Sequence, residues 1–292
     1  MPEGIIDITI NPWTPLEVEQ SQIGVDDHFY DKIRVPAEGR LGLPWDEYIA
    51  KKDRAGIQRS LICATRAGDP RNRYSFAIPY DRVAETCAKY PDRFSGLAGI
   101  DPTRGMEGLR EFERGILDYG FVGGHLYPHW FDLAPDDRRF YPFYAKACEL
   151  DIPIMIQVGH CLDYQRDKIF HSVGRPITLE NIAIDLPEAK LIGIHLGWPW
   201  TEEMIAVAYK HANVYMAGDA YAPKHWPKEY INFVNTWGQD KCLFGSDWPV
   251  IDPERAVAEC EDLGLRPESK EKFYRKNALK LFNLPESAEI KA

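Results

Sequence analysis

Four side chains able to move protons or bind a metal stand at the ends of apolar runs: His125, His160, His195 and Asp247. The last lies in Leu243-Phe244-Gly245-Ser246-Asp247-Trp248-Pro249. There an apolar strand meets two small residues that allow a tight turn, and proline blocks its continuation. Asp247 is therefore a carboxylate at a strand's C-terminal end. It is costly to desolvate and in need of partners.

The candidate partners come from other strand ends. His195 follows the run 190–194, His125 and Tyr127 close 121–127, and Gln157 and His160 close 152–158. Asp7, Thr9 and Asn11 alternate with isoleucines and share one face of a first strand, by the period of two. Arg66 lands just past 57–64. A guanidinium there could hold a substrate carboxylate through two parallel hydrogen bonds.

The elements that must position these groups follow a regular order. Apolar runs at 4–11, 57–64, 94–100, 121–127, 152–158, 190–194, 213–216 and 242–245 read as strands. Amphipathic segments between them read as helices, and two more, 253–263 and 269–282, close the chain. Strict βα alternation over 292 residues predicts an α/β fold, a single closed (β/α)8 TIM barrel spanning 1–292. An open doubly wound sheet fits less well. No glycine-rich phosphate fingerprint follows the first strand, and polar singletons recur at many strand ends. Residues 12–44, rich in turn formers, aromatics and acids, are expected to be a lid-like loop over the barrel mouth.

Composition narrows the partners. A net charge of −10 repels nucleic acid and anionic membrane surfaces, which leaves a small-molecule substrate as the expected partner. No apolar run approaches a membrane span, and Met1-Pro2-Glu3-Gly4 is acidic where a signal peptide is basic, so a cytoplasmic location is expected. Six scattered cysteines without a CxxC pair read as buried free thiols. His129, His211 and His225 read as surface or loop histidines, and His28 belongs to the 12–44 segment.

Several segments together resemble the amidohydrolase superfamily, in its aminocarboxymuconate-semialdehyde decarboxylase-like branch. They are Ile5-Ile6-Asp7, Gly120-Phe121-Val122-Gly123-Gly124-His125-Leu126-Tyr127-Pro128, Ile152-Pro153-Ile154, Ile194-His195-Leu196-Gly197, Leu243 to Pro249 and Asn277-Ala278. The resemblance implies a hydrolase or a decarboxylase (a lyase), with homodimers a reasonable expectation. It also implies a divalent metal held by a His-x-His pair on the first strand, histidines on the fifth and sixth, and an aspartate on the eighth. This chain matches at His195 and Asp247 and departs at three positions, with Thr9, Asn11 and Gln157 in place of imidazoles. Hydroxyl and amide oxygens are poor zinc ligands beside imidazole, so the metal site is degenerate.

Three readings follow. In the first, no metal is needed: Asp247 is a general base, His195 its acid partner, and His125, His160 and Arg66 add electrophilic or anion-binding groups. In the second, His125, His195 and Asp247 rebuild a site for one divalent ion, zinc or manganese. The third is a non-catalytic barrel that binds a small acid. Under the first two, the expected substrate is a small aromatic or cyclic carboxylate or lactone. Arg66, Asn11, Tyr127, Gln157, Trp130 and Trp198 would line its site, the aromatics suiting a flat body.

Overall fold

Short runs of branched apolar residues set the strands. In the computed structural model, which describes residues 4–20, 25–35, 37–162 and 164–285, eight strands form one parallel sheet in sequential order. They are β1 (Ile5–Ile10), β2 (Ile57–Ala64), β3 (Phe94–Gly99), β4 (Gly123–Leu126), β5 (Pro153–Gln157), β6 (Lys190–Ile194), β7 (Val214–Gly218) and β8 (Cys242–Phe244). The helix preceding β2 is α1 (Trp45–Arg54). Then come α2 (Tyr80–Lys89), α3 (Met106–Leu117), α4 (Tyr141–Glu149), α5 (Thr178–Asp185), α6 (Thr201–Lys210), α7 (Lys228–Asn235) and α8 (Pro253–Glu261). One parallel strand reaches the next only by a long crossover, and the helices supply it while covering the outer face. The expected (β/α)8 barrel is the observed architecture.

Inside the barrel, Ile6, Ile8, Leu61, Leu97, Met155 and Leu243 form one cluster with Ala278, Leu281 and Phe282 of the C-terminal helical segment. That segment closes the end where the strands begin. The opposite end, where the strands finish, is left for a site, as is general for such barrels.

The seam between first and last strands carries the most polar linkage. Asp247 N–H donates to Thr9 O at 2.9 Å, and Asn11 N–H to Trp248 O at 2.9 Å. Beneath them the buried Asp7 carboxylate accepts Ser246 N–H at 2.9 Å and the Ser246 hydroxyl at 2.6 Å. One carboxylate thus satisfies the turn at Gly245-Ser246 and ties β8 to β1. Burial raises the Asp7 carboxyl to about 6, against the lowering effect of these donated bonds.

Three expectations need correction. The described part of 12–44 is not an irregular loop: short helices form at Pro15–Glu19, Asp27–Ile33 and Ala37–Leu41. Asp26 caps the second of these by accepting His28 N–H and Phe29 N–H, a signal present in the sequence. The chain after β2 does not run into the mouth. Arg66–Ala67 turns aside to pair antiparallel with Phe76–Ala77. Finally, β7 extends through Gly218 rather than stopping at Met216, which brings Asp219 to its C-terminal end. No helix among the described residues is long and apolar enough to cross a membrane.

Candidate active site

A cavity opens at the C-terminal mouth of the barrel. Asn11, Tyr127, Trp130, Gln157, His160, His195 and Asp247, each expected at the site, line it together. The segment 12–44 contributes Trp13, Val25 and Phe29 to its wall, and Phe76 and Tyr164 add further aromatic surface. No lysine or arginine is among the described residues lining it.

Asp247 sits at the base of this cavity, 7% exposed, with φ of +54°. A non-glycine residue in the left-handed region costs about 1–3 kcal/mol and persists where its surroundings enforce it. The enforcing contacts are the Thr9 bond to its N–H and the Asp7–Ser246 anchor just before it. Its side chain is aimed by Asn11, whose Nδ2 donates to Asp247 Oδ1 at 3.0 Å and to Trp248 O at 3.1 Å. Tyr127 Oη in turn donates to Asn11 Oδ1 at 3.2 Å. Burial raises the Asp247 carboxyl to about 7; His195 opposes the shift, and the Asp219 carboxylate adds to it.

His195 also adopts a positive φ, +63°, immediately after β6. Its backbone N–H donates to Asp219 Oδ1 at 2.5 Å, and its Nδ1 lies 3.3 Å from the same oxygen. With Nδ1 toward Asp219, Nε2 is the nitrogen available to the cavity. Burial disfavours the imidazolium, yet Asp219 and Asp247 outweigh it and the His195 pKa is raised. The result is a buried carboxylate–imidazole–carboxylate row from β7, β6 and β8.

Two other residues frame the cavity. Gln157 Nε2 donates to Tyr164 Oη at 2.7 Å. His160 is exposed at the rim, where its N–H donates to Trp198 O at 2.7 Å and its Nδ1 lies 2.9 Å from Ser172 Oγ. Gly159 permits that approach: its φ is +100°, and a Cβ there would meet Trp198 O at 2.4 Å.

Three expected site residues lie elsewhere. Arg66 is 8% exposed and points away from the cavity; its guanidinium grips Glu111 on α3 at 2.8 Å and donates to Ile78 O. The turn into the hairpin carries it outward, so it cannot hold a substrate in this pocket. His125 lies inside the barrel, 1% exposed, its ring 4.2 Å from that of Tyr127 and absent from the cavity wall. Burial, with His195 adding, lowers it to about 3, so it stays neutral. Trp198 is 41% exposed on the outer rim, 5.5 Å from the Tyr221 ring, rather than in the wall.

His129 also departs from expectation. It is fully buried rather than at the surface, its Nδ1 bonded to His171 O at 3.2 Å. Asp219 was missed altogether. The signal for it was Gly218-Asp219 at the end of the seventh strand, obscured because that strand reads two residues short.

The fold and the site together define a (β/α)8-barrel enzyme with a buried His195 and Asp247 at its C-terminal mouth. The chain belongs to the amidohydrolase family, whose profile matches residues 55–284. Among curated proteins it is 24% identical over 259 residues to a gamma-resorcylate decarboxylase of Rhodococcus jostii, covering 70% of this chain and 75% of that protein. A TIM-barrel protein of Bordetella bronchiseptica superposes with a TM-score of 0.78 at 23% identity, covering 96% of this chain and 99% of that one. A dihydroxybenzoic acid decarboxylase of Polaromonas sp., solved with manganese and 2-nitroresorcinol, superposes with a TM-score of 0.73 at 21% identity, covering 97% and 98%.

The manganese of that relative raises the question whether these residues fit a metal. They do not. Among the described residues no three of His, Cys, Asp and Glu converge as a ligand set, so His125, His195 and Asp247 do not rebuild one. Asn11 Oδ1 is already engaged by Tyr127, and Thr9 and Gln157 offer neutral oxygens. Two strong donors, His195 and Asp247, fall short of the usual complement for a tightly held divalent ion.

Proposed function

We propose that this protein is a carboxy-lyase for small hydroxylated aromatic carboxylates, with proton transfer by Asp247 and His195. The observation that carries the reading is the Asp219–His195–Asp247 row at the base of an aromatic-lined cavity. The amidohydrolase relatives that bear decarboxylase names add to it.

Decarboxylation of such a ring needs a proton at the carbon that bears the carboxylate. Protonated Asp247 delivers it, and the ring hydroxyls stabilise the positive charge that develops on the ring. The carbon–carbon bonding pair then returns to the ring and CO2 leaves. Asp247 is left as a carboxylate and regains its proton from solvent. His195, whose protonated form Asp219 favours, donates from Nε2 to a substrate oxygen and orients the ring.

The wall's lack of a permanent cation fits this reaction better than simple retention of an acid. A carboxylate stabilised equally before and after reaction gains nothing in rate, whereas an apolar wall favours conversion of an anion into neutral CO2. A barrel that only stored acids would profit from an arginine here.

The test is incubation of the purified protein with a panel of mono- and dihydroxybenzoates, alongside aryl lactones, in D2O. Release of CO2 with one deuterium at the vacated ring carbon, lost in Asp247→Asn, is the expected result. Hydrolysis of lactones without CO2 release from any benzoate would overturn the carboxy-lyase reading.

A further inference from the structure

A second cavity opens beside the first, sharing Leu162, Ala220, Tyr221 and Val250 with it as common walls. Its character is opposite. Lys32, Arg34, Lys224, His225 and Arg255 line it, and no acidic residue is among the described lining. These side chains converge from three segments. Lys32 and Arg34 come from the helix Asp27–Ile33 and its C-terminal cap, Lys224 and His225 from the segment after β7, and Arg255 from α8.

One carboxylate pre-positions part of the set. Glu259 lies 2.8 Å from Arg255 Nε and 3.7 Å from Lys224 Nζ. Leaving Lys32 aside, three permanent cations, Arg34, Lys224 and Arg255, therefore face one carboxylate, on a chain whose overall charge is −10. A local excess of positive charge on an acidic protein draws an anion to that spot and away from the remaining surface. The aromatic cavity, which lacks any permanent cation, cannot supply that attraction itself.

We propose that the ligand of this site carries a second anionic group, of carboxylate or phosphate type, held in this basic vestibule while its ring occupies the aromatic cavity. The proposal deepens the carboxy-lyase reading by naming a dianionic substrate class. It requires only that the two adjoining cavities take one molecule. Arginine forks suit either oxyanion through paired hydrogen bonds.

The experiment is calorimetric titration of the whole protein with non-reacting probes, so that it stands whether or not turnover is found. The probes are benzoate, isophthalate, 3-carboxycinnamate and 3-phosphonobenzoate. At least one dianion should bind about tenfold more tightly than benzoate, the advantage expected of a charge-assisted contact. That advantage should weaken with added salt and vanish in the Arg34→Gln/Lys224→Gln/Arg255→Gln variant, whose three positions are exposed and whose fold should be retained. Whichever dianion binds tightest identifies the anionic group. Equal affinity for benzoate and every dianion, or a preference that survives in the triple variant, would overturn the proposal.

Discussion

Asp219 Oδ1 accepts the backbone N–H of His195 at 2.5 Å and stands 3.3 Å from the Nδ1 of the same residue. A single carboxylate oxygen thus holds the backbone by a hydrogen bond and faces the ring at ion-pair distance. The left-handed backbone of His195 is held where its imidazole faces the cavity, and its charge is favoured.

Asp219→Asn should therefore lower turnover by about 10² or more while the fold persists, since the amide oxygen can still accept the His195 N–H. Because Asp219 raises the His195 pKa, its loss moves the imidazolium's titration to lower pH. The alkaline limb of the kcat/KM profile should shift the same way. An unchanged limb would remove His195 as the charged donor.

Asp247→Asn should abolish turnover and change the pH dependence of stability. The folded carboxyl is raised to about 7 from an ordinary 3.8, so the native state binds the extra proton between these values. Its stabilisation is complete at pH below about 4 and is lost as pH rises toward 7. Denaturant titrations from pH 4 to 8 should show the variant gaining on the wild type across that window and holding a constant difference above it.

Chelation should leave activity intact, because two strong donors are too few to hold a divalent ion tightly. Asn11→His combined with Gln157→His would bring the imidazole and carboxylate donors to four. Elemental analysis should then find stoichiometric manganese or zinc in the double variant and little in the wild type after the same dialysis.

Arg66→Ala should cost stability rather than affinity. The variant removes one of the two cationic partners of the part-buried Glu111, Arg104 remaining, and takes the Arg66 donor from the Ile78 carbonyl, for a loss of about 1–3 kcal/mol. Thermal melting should record it, while KM for any turned-over benzoate stays within about twofold of the wild type.

Much of this molecule was readable in order along the chain. Alternation of apolar strands with amphipathic helices is a local property, and it dictates a parallel α/β fold because parallel neighbours need helical crossovers. The polar singletons at many strand ends and the missing phosphate fingerprint favoured the closed barrel over an open sheet. Period two along β1 placed Asp7, Thr9 and Asn11 on one face, and Asp7 and Asn11 both serve the β8 turn from there. The abrupt ends of β6 and β8 marked His195 and Asp247 correctly as cavity residues. Periodicity failed at the next step outward. Past the last strand residue a side chain's direction depends on the turn that follows, which is why Arg66 and Trp198 were misplaced. His125, within β4, was placed at the barrel end although it lies inside.

The Leu243 to Pro249 stretch shows the division most clearly. By itself the sequence determined that a carboxylate would stand at the end of an apolar strand, because the small residues, the proline and the apolar run act locally. Only the tertiary structure decided what that carboxylate is. Its burial, its Asn11 partner from β1 and the Asp219-backed imidazole across the mouth arise from strands more than two hundred and about thirty to fifty residues away in sequence. A side chain's proton affinity is set by its neighbours in space, and barrel closure brings those neighbours together.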